Sequence, residues 1–159
     1  MKEITLTQEK IAIVDDEDYE KLKQFEWYAW NYNKNGFYAY RSSLINNKRQ
    51  PLSMHREIIG AVSGYCVDHV NGNGLDNRKV NLRFCTRQQN QFNRKKCNKN
   101  NKLGIKGVIW DKTRRKFRTQ IKINRKLINL GRYNTLFEAT EVHRQAEEKY
   151  FGTFARNST

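Results

Sequence analysis

The stretch VDHVNGNGLDNRKVNLRFC, residues 67–85, sets the expectations for the fold of this chain. It begins and ends with short apolar runs, Val67–Val70 and Leu82–Cys85, that suit β-strands. Between them lies a loop rich in glycine and asparagine, and Thr86 follows as the N-cap of a helix that runs through Asn90. The local prediction is therefore strand, loop, strand and helix.

The same stretch carries the residue types that phosphodiester hydrolysis requires. The reaction needs a base to activate water, a divalent cation to stabilise charge, and groups that position the backbone. Neutral imidazole, here His69, is the natural base near neutral pH. Adjacent residues on a regular strand point to opposite faces, so Asp68 and His69 meet at one site only at a strand end or twist. Asn90, on the next helix, can supply an oxygen ligand from across the module.

Residues 67–93 resemble the HNH endonucleases, the ββα-metal proteins of phages and intron-encoded homing endonucleases. The resemblance rests on the pattern VDHxNGNxxDNRxxNLR and on the asparagines of the following helix. It implies that His69 is the general base and that Asp68 and Asn90 bind the metal. It also implies a structural role for Asn81, which would hold the loop by side-chain-to-backbone hydrogen bonds.

Several assignments within this module stay open. Asn93 is an alternative to Asn90, because both lie on one helix three residues apart. An asparagine at this position gives oxygen ligands, which favour Mg²⁺ or Mn²⁺ over zinc. His55 either supports the site or binds phosphate, or it is a packed or capping histidine. Arg78 and Arg83 either hold the scissile phosphate or contact only the DNA backbone.

The charge of the chain is uneven. There are 31 Lys+Arg against 16 Asp+Glu, a formal net charge of +15, and such a basic chain expects a polyanion, usually nucleic acid. Residues 1–50 are net zero and residues 51–94 are +3, whereas residues 95–159 have 17 basic and 5 acidic side chains, a net +12. Double-stranded DNA is the predicted partner, bound mainly by the C-terminal part.

The predicted fold class is α+β, with four parts. A small N-terminal segment rich in strands covers 1–51, and the ββα-metal HNH module covers 52–94. A basic linker, 95–104, leads to a three-stranded antiparallel sheet packed on one helix, 105–159.

Within the N-terminal segment, residues 3–14 alternate like short strands, and Asp15 opens a helical stretch with Tyr19, Leu22 and Phe25 at helical spacing. Asn35-Gly36 is a turn signal before a returning strand, Phe37–Tyr40. In the HNH module, residues 52–59 suit either a strand or a short helix.

In the C-terminal part, three strands are predicted at Lys106–Asp111, Lys116–Ile123 and Lys126–Tyr133. Thr135 and Glu138 form a capping box for a helix that runs to about Tyr150. In the second strand, apolar residues and threonine alternate with basic residues and glutamine, so one face suits the helix and the other suits DNA.

The C-terminal part resembles the ethylene-response-factor (APETALA-type) DNA-binding domain, through Gly107-Val108 with Trp110, Leu130-Gly131-Arg132-Tyr133 and residues 135–139. In that family a three-stranded sheet lies on the major groove with one helix behind it. Arginine and glutamine would read base edges and lysine would hold phosphate. The candidate DNA contacts are Trp110, Arg114, Arg118, Gln120, Lys122, Arg125 and Arg132, of which Trp110 is equally a core candidate.

The remaining composition points to an intracellular protein, and the resemblances imply the cytoplasm of a bacterial or phage-infected cell. The three cysteines form no CxxC pair and are expected to be reduced packing residues. The chain shows no apolar run of the ~20 residues that a membrane helix needs and no signal-peptide pattern. No membrane partner and no obligate protein partner are expected.

Two classes of function fit these features. The first is a homing-type DNA endonuclease that nicks or cuts double-stranded DNA, targeted by its C-terminal sheet. The alternative is a non-catalytic, sequence-specific DNA-binding regulator that retains a degenerate HNH module. An RNA-binding protein fits less well, because nothing resembles an RNA-recognition motif.

Overall fold

The structure, a computed structural model, describes residues 1–31, 36–45, 47–92 and 101–155. The chain divides into two compact units, Met1–Asn90 and Gln91–Thr159. Small antiparallel sheets and a few helices build both units, which agrees with the expected α+β class. No helix in the described ranges is long and apolar enough to cross a membrane. Three features lie outside the described residues: Asn35 of the predicted turn, the linker up to residue 100, and Asn93.

The first unit opens with a hairpin of β1 (Lys2–Thr5) and β2 (Ile11–Val14), which confirms the strands predicted between residues 3 and 14. Helix α1 (Asp16–Leu22) follows, with Asp15 at its N-cap. The Asp15 carboxylate does not cap the helix but accepts a hydrogen bond from the backbone N–H of Lys79, at 2.7 Å.

Helix α1 is shorter than the helix that the spacing of Tyr19, Leu22 and Phe25 predicts. It ends at Leu22, so Phe25 lies beyond it. The indole N–H of Trp27 donates to the carbonyl of Leu22 at 2.8 Å. That bond satisfies one of the carbonyls that a helix end leaves without an intrahelical partner.

A three-stranded antiparallel sheet follows, in the order β3 (Tyr28–Asn31), β4 (Phe37–Ile45) and β5 (Lys48–Ser53). The ambiguous stretch 52–59 resolves into the end of β5 and a short helix, α2 (Met54–Ile58). One apolar core joins the hairpin, the sheet and both helices. Its buried members are Ile4, Leu6, Ala12, Val14, Leu22, Trp27, Ala29, Ala39 and Met54.

The unit ends with β6 (Cys66–His69) and β7 (Leu82–Cys85), paired antiparallel, and with helix α3 (Arg87–Phe92), whose last two residues belong to the second unit. The predicted N-cap is confirmed. The N–H of Gln89 donates to the Thr86 hydroxyl at 3.2 Å, and the Gln89 side chain accepts from the Thr86 N–H at 2.8 Å. Cys66 and Cys85 face each other across the strands as free thiols.

The second unit contains β8 (Val108–Asp111), β9 (Lys116–Ile123) and β10 (Lys126–Tyr133), with β9 central, and helix α4 (Leu136–Phe151). The second and third predicted strands match, and the capping box of Thr135 and Glu138 is present. The first strand begins two residues later than predicted, because Gly107 adopts a φ of +75° that no strand accommodates.

Alternation along β9 separates its two faces as predicted. Thr119 and Ile121 are buried, and the Thr119 hydroxyl donates to the carbonyl of Ala139 in α4 at 3.1 Å. Lys116 and Lys122 are exposed. One face of the sheet therefore carries the helix and the other presents basic side chains.

Gly107 allows α4 to approach the start of β8. A β-carbon built on Gly107 would lie 1.9 Å from Nε2 of His143, whose ring is buried. The conformation of Gly107 is also one that L-residues rarely adopt. Close packing of the helix here requires glycine for two independent reasons.

We therefore expect Gly107→Ala to destabilise the second unit more than Gly104→Ala. Both glycines have positive φ, but a β-carbon on Gly104 meets nothing within 4 Å. Each change costs about 1–2 kcal/mol for the left-handed conformation, and overpacking against His143 adds about 1–3 kcal/mol. Hydrogen exchange of the β9 amides in the full chain measures the difference. Equal loss of protection in both variants would contradict the close approach.

Candidate functional site

Strands β6 and β7 give Asp68 and His69 different neighbours. In the register, Asp68 lies opposite Arg83 and His69 lies opposite Leu82. Arg83 donates to Oδ2 of Asp68 from Nε at 3.0 Å and from Nη2 at 2.7 Å. Asp68 is 6% exposed, so this ion pair is largely buried. The contact fixes the orientation of the carboxylate from the neighbouring strand.

His69 lies in a buried pocket lined by aromatic rings. Its ring centroid is 5.0 Å from that of His55 and 5.7 Å from that of Tyr38, both edge-on. Its Nε2 is 3.2 Å from the side-chain oxygen of Asn77. Burial lowers the pKa of His69 below its usual value, opposed by the Asn77 hydrogen bond and by the charges of Asp68 and Asp76. The imidazole is thus neutral near pH 7, the state that a general base requires.

His55 is a second buried imidazole beside His69. Its Nε2 is 3.4 Å from the hydroxyl of Ser53, while Nδ1 is buried with no hydrogen-bond partner in the described part of the chain. Burial, then the neighbouring His69 and Arg56, lowers the pKa of His55 to about 3. His55 is therefore an uncharged group next to the candidate base.

The side chain of Arg56, the residue after His55, binds backbone carbonyls in the segment that follows α2. Arg56 donates to the carbonyls of Tyr65 at 2.7 Å, Val62 at 2.8 Å and Ala61 at 3.3 Å. These bonds satisfy backbone carbonyls that no helix or sheet pairs.

Asparagine side chains hold the loop between β6 and β7. Asn81 donates from Nδ2 to the carbonyl of Asp76 at 2.7 Å and accepts from the N–H of Asn71 at 2.9 Å. Asn71 accepts from the N–H of Asn73 at 2.8 Å, and Asn73 accepts from that of Leu75 at 3.1 Å. Such local side-chain-to-backbone bonds replace sheet pairing in a turn of this kind.

Asp76 and Arg78 form an ion pair within the loop. Arg78 donates to both carboxylate oxygens, from Nε and from Nη2, each at 2.7 Å. The Arg78 guanidinium holds the pKa of Asp76 below its usual value, because its effect is larger than the opposing effect of burial. Asn71 adds a third bond to this carboxylate at 2.9 Å. Arg78 and Arg83, the two candidate phosphate ligands, are therefore each engaged with a carboxylate.

Three residues of this pocket were not assigned from the sequence. Asp76 and Asn77 belong to the quoted Asp-Asn-Arg motif, where only Arg78 drew an assignment. Tyr38 lies in the preceding sheet, far from the motif in sequence, and no local pattern indicates its contact with His69. Gly74 lets the loop pack closely against β4. A β-carbon at this position would lie 2.5 Å from the Phe37 carbonyl oxygen and from the Tyr38 ring.

Asn90 lies on α3 and is half-buried, with its backbone N–H bonded to the carbonyl of Thr86 at 3.0 Å. Among the residues that the structure describes, no three His, Cys, Asp or Glu side chains cluster as a metal site. Asp68 and Asn90 carry a carboxylate and an amide.

The candidate DNA contacts of the second unit lie at different places on its sheet. Arg118 is paired with Arg132 in the register, and Arg132 donates from Nε to Asp111 at 3.1 Å. Gln120 and Lys122 follow on the same face of β9. Arg118 Nε is buried with no hydrogen-bond partner among the described residues.

The other candidates lie on β8 or in the two turns that flank β9. Trp110 is on the helix side of the sheet, 43% exposed, with its ring edge-on to Phe117 at 4.7 Å. Arg114 lies in the β8–β9 turn, where its N–H donates to Asp111 at 3.1 Å. Arg125 lies in the β9–β10 turn with a φ of +66°. Trp110 therefore lies on the opposite side of the sheet from Arg118.

Comparisons with known proteins find one family model and two viral relatives that match this chain. A sequence model of the family described as HNH endonuclease matches residues 60–92, which include β6, the loop, β7 and α3. Protein 3.8 of Escherichia phage T7 is 33% identical over 93 residues, covering 58% of this chain and 75% of that protein. An uncharacterized HNH endonuclease of Acanthamoeba polyphaga mimivirus is 29% identical over 134 residues, covering 80% of this chain and 65% of that protein, just under two thirds.

No solved structure matches the chain significantly. The family match falls on the segment that carries the buried imidazole and its hydrogen-bonded loop, and the viral relatives extend the similarity beyond it. Residues 60–92 therefore carry an HNH endonuclease domain, and the chain is related to these two viral proteins.

Proposed function

We propose that the protein is a metal-dependent DNA endonuclease that hydrolyses phosphodiester bonds with His69 as the general base. The observation that carries this proposal is the neutral, buried imidazole of His69, hydrogen-bonded to Asn77 within the HNH-matched segment. A base in this state can take a proton from an attacking water near neutral pH.

Asp68 and Asn90 are proposed to hold a divalent cation, Mg²⁺ or Mn²⁺. Carboxylate and amide oxygens are the donors that these ions prefer. When bound, the cation supplies charge stabilisation at the phosphate and the leaving oxygen. Arg83 holds the Asp68 carboxylate from the adjacent strand, so this ligand is oriented before the cation arrives.

The second unit is proposed to bind double-stranded DNA and to target the nuclease. Its support is the net +12 of residues 95–159 and the row of polar side chains Arg118, Gln120 and Lys122 on the face of β9 opposite α4. The likeness to ethylene-response-factor domains belongs to this proposal. Homing-type behaviour is also part of this proposal. Action in the cytoplasm of a phage-infected cell is supported by the viral relatives.

The alternative function, a DNA-binding regulator with an inactive HNH domain, is favoured by one observation. Asp68, the proposed carboxylate ligand, is engaged by Arg83 in a buried ion pair. Incubation of the full chain with random-sequence plasmid and Mg²⁺ or Mn²⁺ separates the two functions. Nicked or linear plasmid supports the nuclease, and intact plasmid with retained DNA binding supports the regulator.

His69→Gln is expected to lower the nicking rate by about a hundredfold or more, because it removes the base. Glutamine keeps a buried donor for Asn77, so the fold and DNA binding should persist. Plasmid nicking measures the rate, and a gel-shift assay measures the binding. Nicking at the wild-type rate would show that His69 is not the base.

Asp68→Ala and Asn90→Ala are each expected to raise the Mg²⁺ concentration needed for half-maximal nicking. The physical reason is the loss of one oxygen ligand from a small donor set. Gln88→Ala is the matched control, since it truncates an exposed amide on the same helix. Unchanged metal titrations in both test variants would overturn the ligand assignment, and a shift in Asn93→Ala alone would transfer the role to Asn93.

Arg118→Ala and Lys122→Ala should weaken DNA binding by the full chain in different ways. If Arg118 reads a base edge, its loss costs about 1–3 kcal/mol and relaxes sequence preference. Lys122 on phosphate would lower the log–log salt slope by about 1 for every sequence. Lys149 is an exposed residue of α4, so Lys149→Ala removes the same charge and should change neither the sequence preference nor the salt slope. Equal losses for Arg118→Ala on a selected and a scrambled site would exclude base reading.

A further inference from the structure

The sheet of β3, β4 and β5 carries a group of aromatic side chains on the face that points away from the apolar core. Ala29 and Ala39 are buried in that core, so their neighbours along each strand lie on the opposite face. In the register these neighbours form two cross-strand pairs, Tyr28 with Tyr40 and Trp30 with Tyr38. Four aromatic rings are thus presented on one side of the hairpin.

Three of these rings, those of Tyr28, Trp30 and Tyr40, form a cluster that we call the aromatic surface. Their centroids lie between 6.0 and 6.4 Å apart. None of these pairs is in close face-to-face contact, as Phe92 and Phe151 are with centroids 3.7 Å apart. Trp30 is 47% exposed, although tryptophan is highly buried on average. The aromatic surface therefore presents a large ring to the solvent.

The fourth ring, that of Tyr38, connects the aromatic surface to the candidate site. Tyr38 lies directly opposite Trp30 in the register. Its ring centroid is 5.7 Å from that of His69 and 6.1 Å from that of His55. Tyr40 is two residues further along the same strand, a rise of about 7 Å. A DNA strand that reaches His69 extends beyond it, and on this side the adjoining surface is aromatic.

The charge of this sheet face suits a polyanion. Beyond Tyr40, the register places Arg49 of β5 on the same face, opposite Leu44 of β4. Arg49 is exposed. None of the side chains that the register of β3, β4 and β5 places on this face is acidic. A DNA strand offers the face both of its complements, phosphates for the arginine and base rings for the aromatic side chains.

The aromatic character of the surface selects the kind of DNA that fits it. Bases in a duplex stack on one another and present only their edges in the grooves. An aromatic side chain can lie against the face of a base only where that base has left the stack. An unpaired strand therefore fits the aromatic surface better than a regular duplex.

We propose that the aromatic surface of Tyr28, Trp30 and Tyr40 binds the bases of an unpaired DNA strand next to the phosphate that reaches His69. Such stacking tolerates any sequence, because every base has a π-face. The surface would fix the path of the strand without reading its bases. The binding needs neither metal nor cleavage, whereas its place beside the reacting phosphate rests on the proposed nuclease function.

The test compares two single strands of equal length in metal-free buffer, an oligothymidine and an abasic strand. Both carry the same number of phosphates, so counterion release contributes equally to their binding by the basic second unit. Fluorescence anisotropy of the labelled strands measures both dissociation constants with the full chain. The wild type should bind oligothymidine about 5- to 100-fold more tightly than the abasic strand. Equal dissociation constants would overturn the proposal.

Variants at Trp30 assign this base preference to the aromatic surface. Trp30→Ala should lose most of the preference and keep the affinity for the abasic strand, whereas Trp30→Phe retains a ring and should keep most of it. Phe137→Ala is the matched control, because Phe137 is a 79% exposed aromatic residue of α4 in the other unit. A full preference in Trp30→Ala would overturn the proposal. If Trp30→Ala does not fold, Trp30→Leu decides in the same way, because leucine keeps an apolar side chain without a ring.

The remaining outcomes separate this proposal from its rivals. Sedimentation shows whether the chain self-associates. If Trp30→Ala converts a dimer to a monomer and leaves the base preference unchanged, the surface is an interface between copies and the proposal is overturned. If the base preference depends on Trp30 but the wild type never nicks plasmid, only the nuclease function is overturned. A wild type that nicks plasmid without any base preference overturns only the stacking proposal.

Discussion

The site depends on the backbone pairing between β2 and the loop that follows β6. Two hydrogen bonds of 2.8 Å join Ile13 to Leu75 and Asn77, and Asp76 forms a parallel bridge with Ile13. This pairing links parts of the chain about sixty residues apart. It is the backbone pairing that ties Leu75 and Asn77 to β2. The amide that faces His69 belongs to this paired segment.

The loop also shows how a segment without sheet or helix can be buried. Asp76 and Asn77 are 2% and 0% exposed, and an unsatisfied buried polar group costs about 1–3 kcal/mol. Every partner described here is supplied from within the motif or from the adjoining β2: Asn71 and Arg78 for the carboxylate of Asp76, and Asn81 for its carbonyl. The density of asparagine in the quoted stretch is a consequence of this requirement.

Much of the local structure was predictable because it depends on local chemistry. The capping boxes at Thr86 and Thr135, the second and third strands of the last sheet, and the alternation along β9 all follow from residue type and spacing. The pairing of Ile13 with Asp76 was not predictable, because a backbone bond between distant segments leaves no side-chain pattern in the sequence. The same is true of Tyr38, which reaches His69 from another sheet.

The ion-pair partner of a charged side chain was harder to predict than the position of a strand or helix. Arg78 and Arg83 looked like phosphate ligands because a basic side chain in a nuclease motif suggests DNA. Each also has a carboxylate within hydrogen-bond reach, and the buried carboxylates of Asp76 and Asp68 are stable only with such a partner. Sequence spacing identifies the ionic groups but does not indicate which of them neutralise each other.

The distribution of charge suggests that chemistry and affinity are separate properties of this chain. Residues 1–50 have no net charge, and the buried site keeps its two imidazoles neutral, whereas residues 95–159 have a net +12. Phosphate neutralisation dominates DNA affinity and weakens steeply with salt. A base shielded from solvent is much less sensitive to ionic strength, because screening acts mainly on exposed charges. Under the proposed function, salt should therefore act on how often the protein occupies DNA and leave the reactivity of His69 largely unchanged.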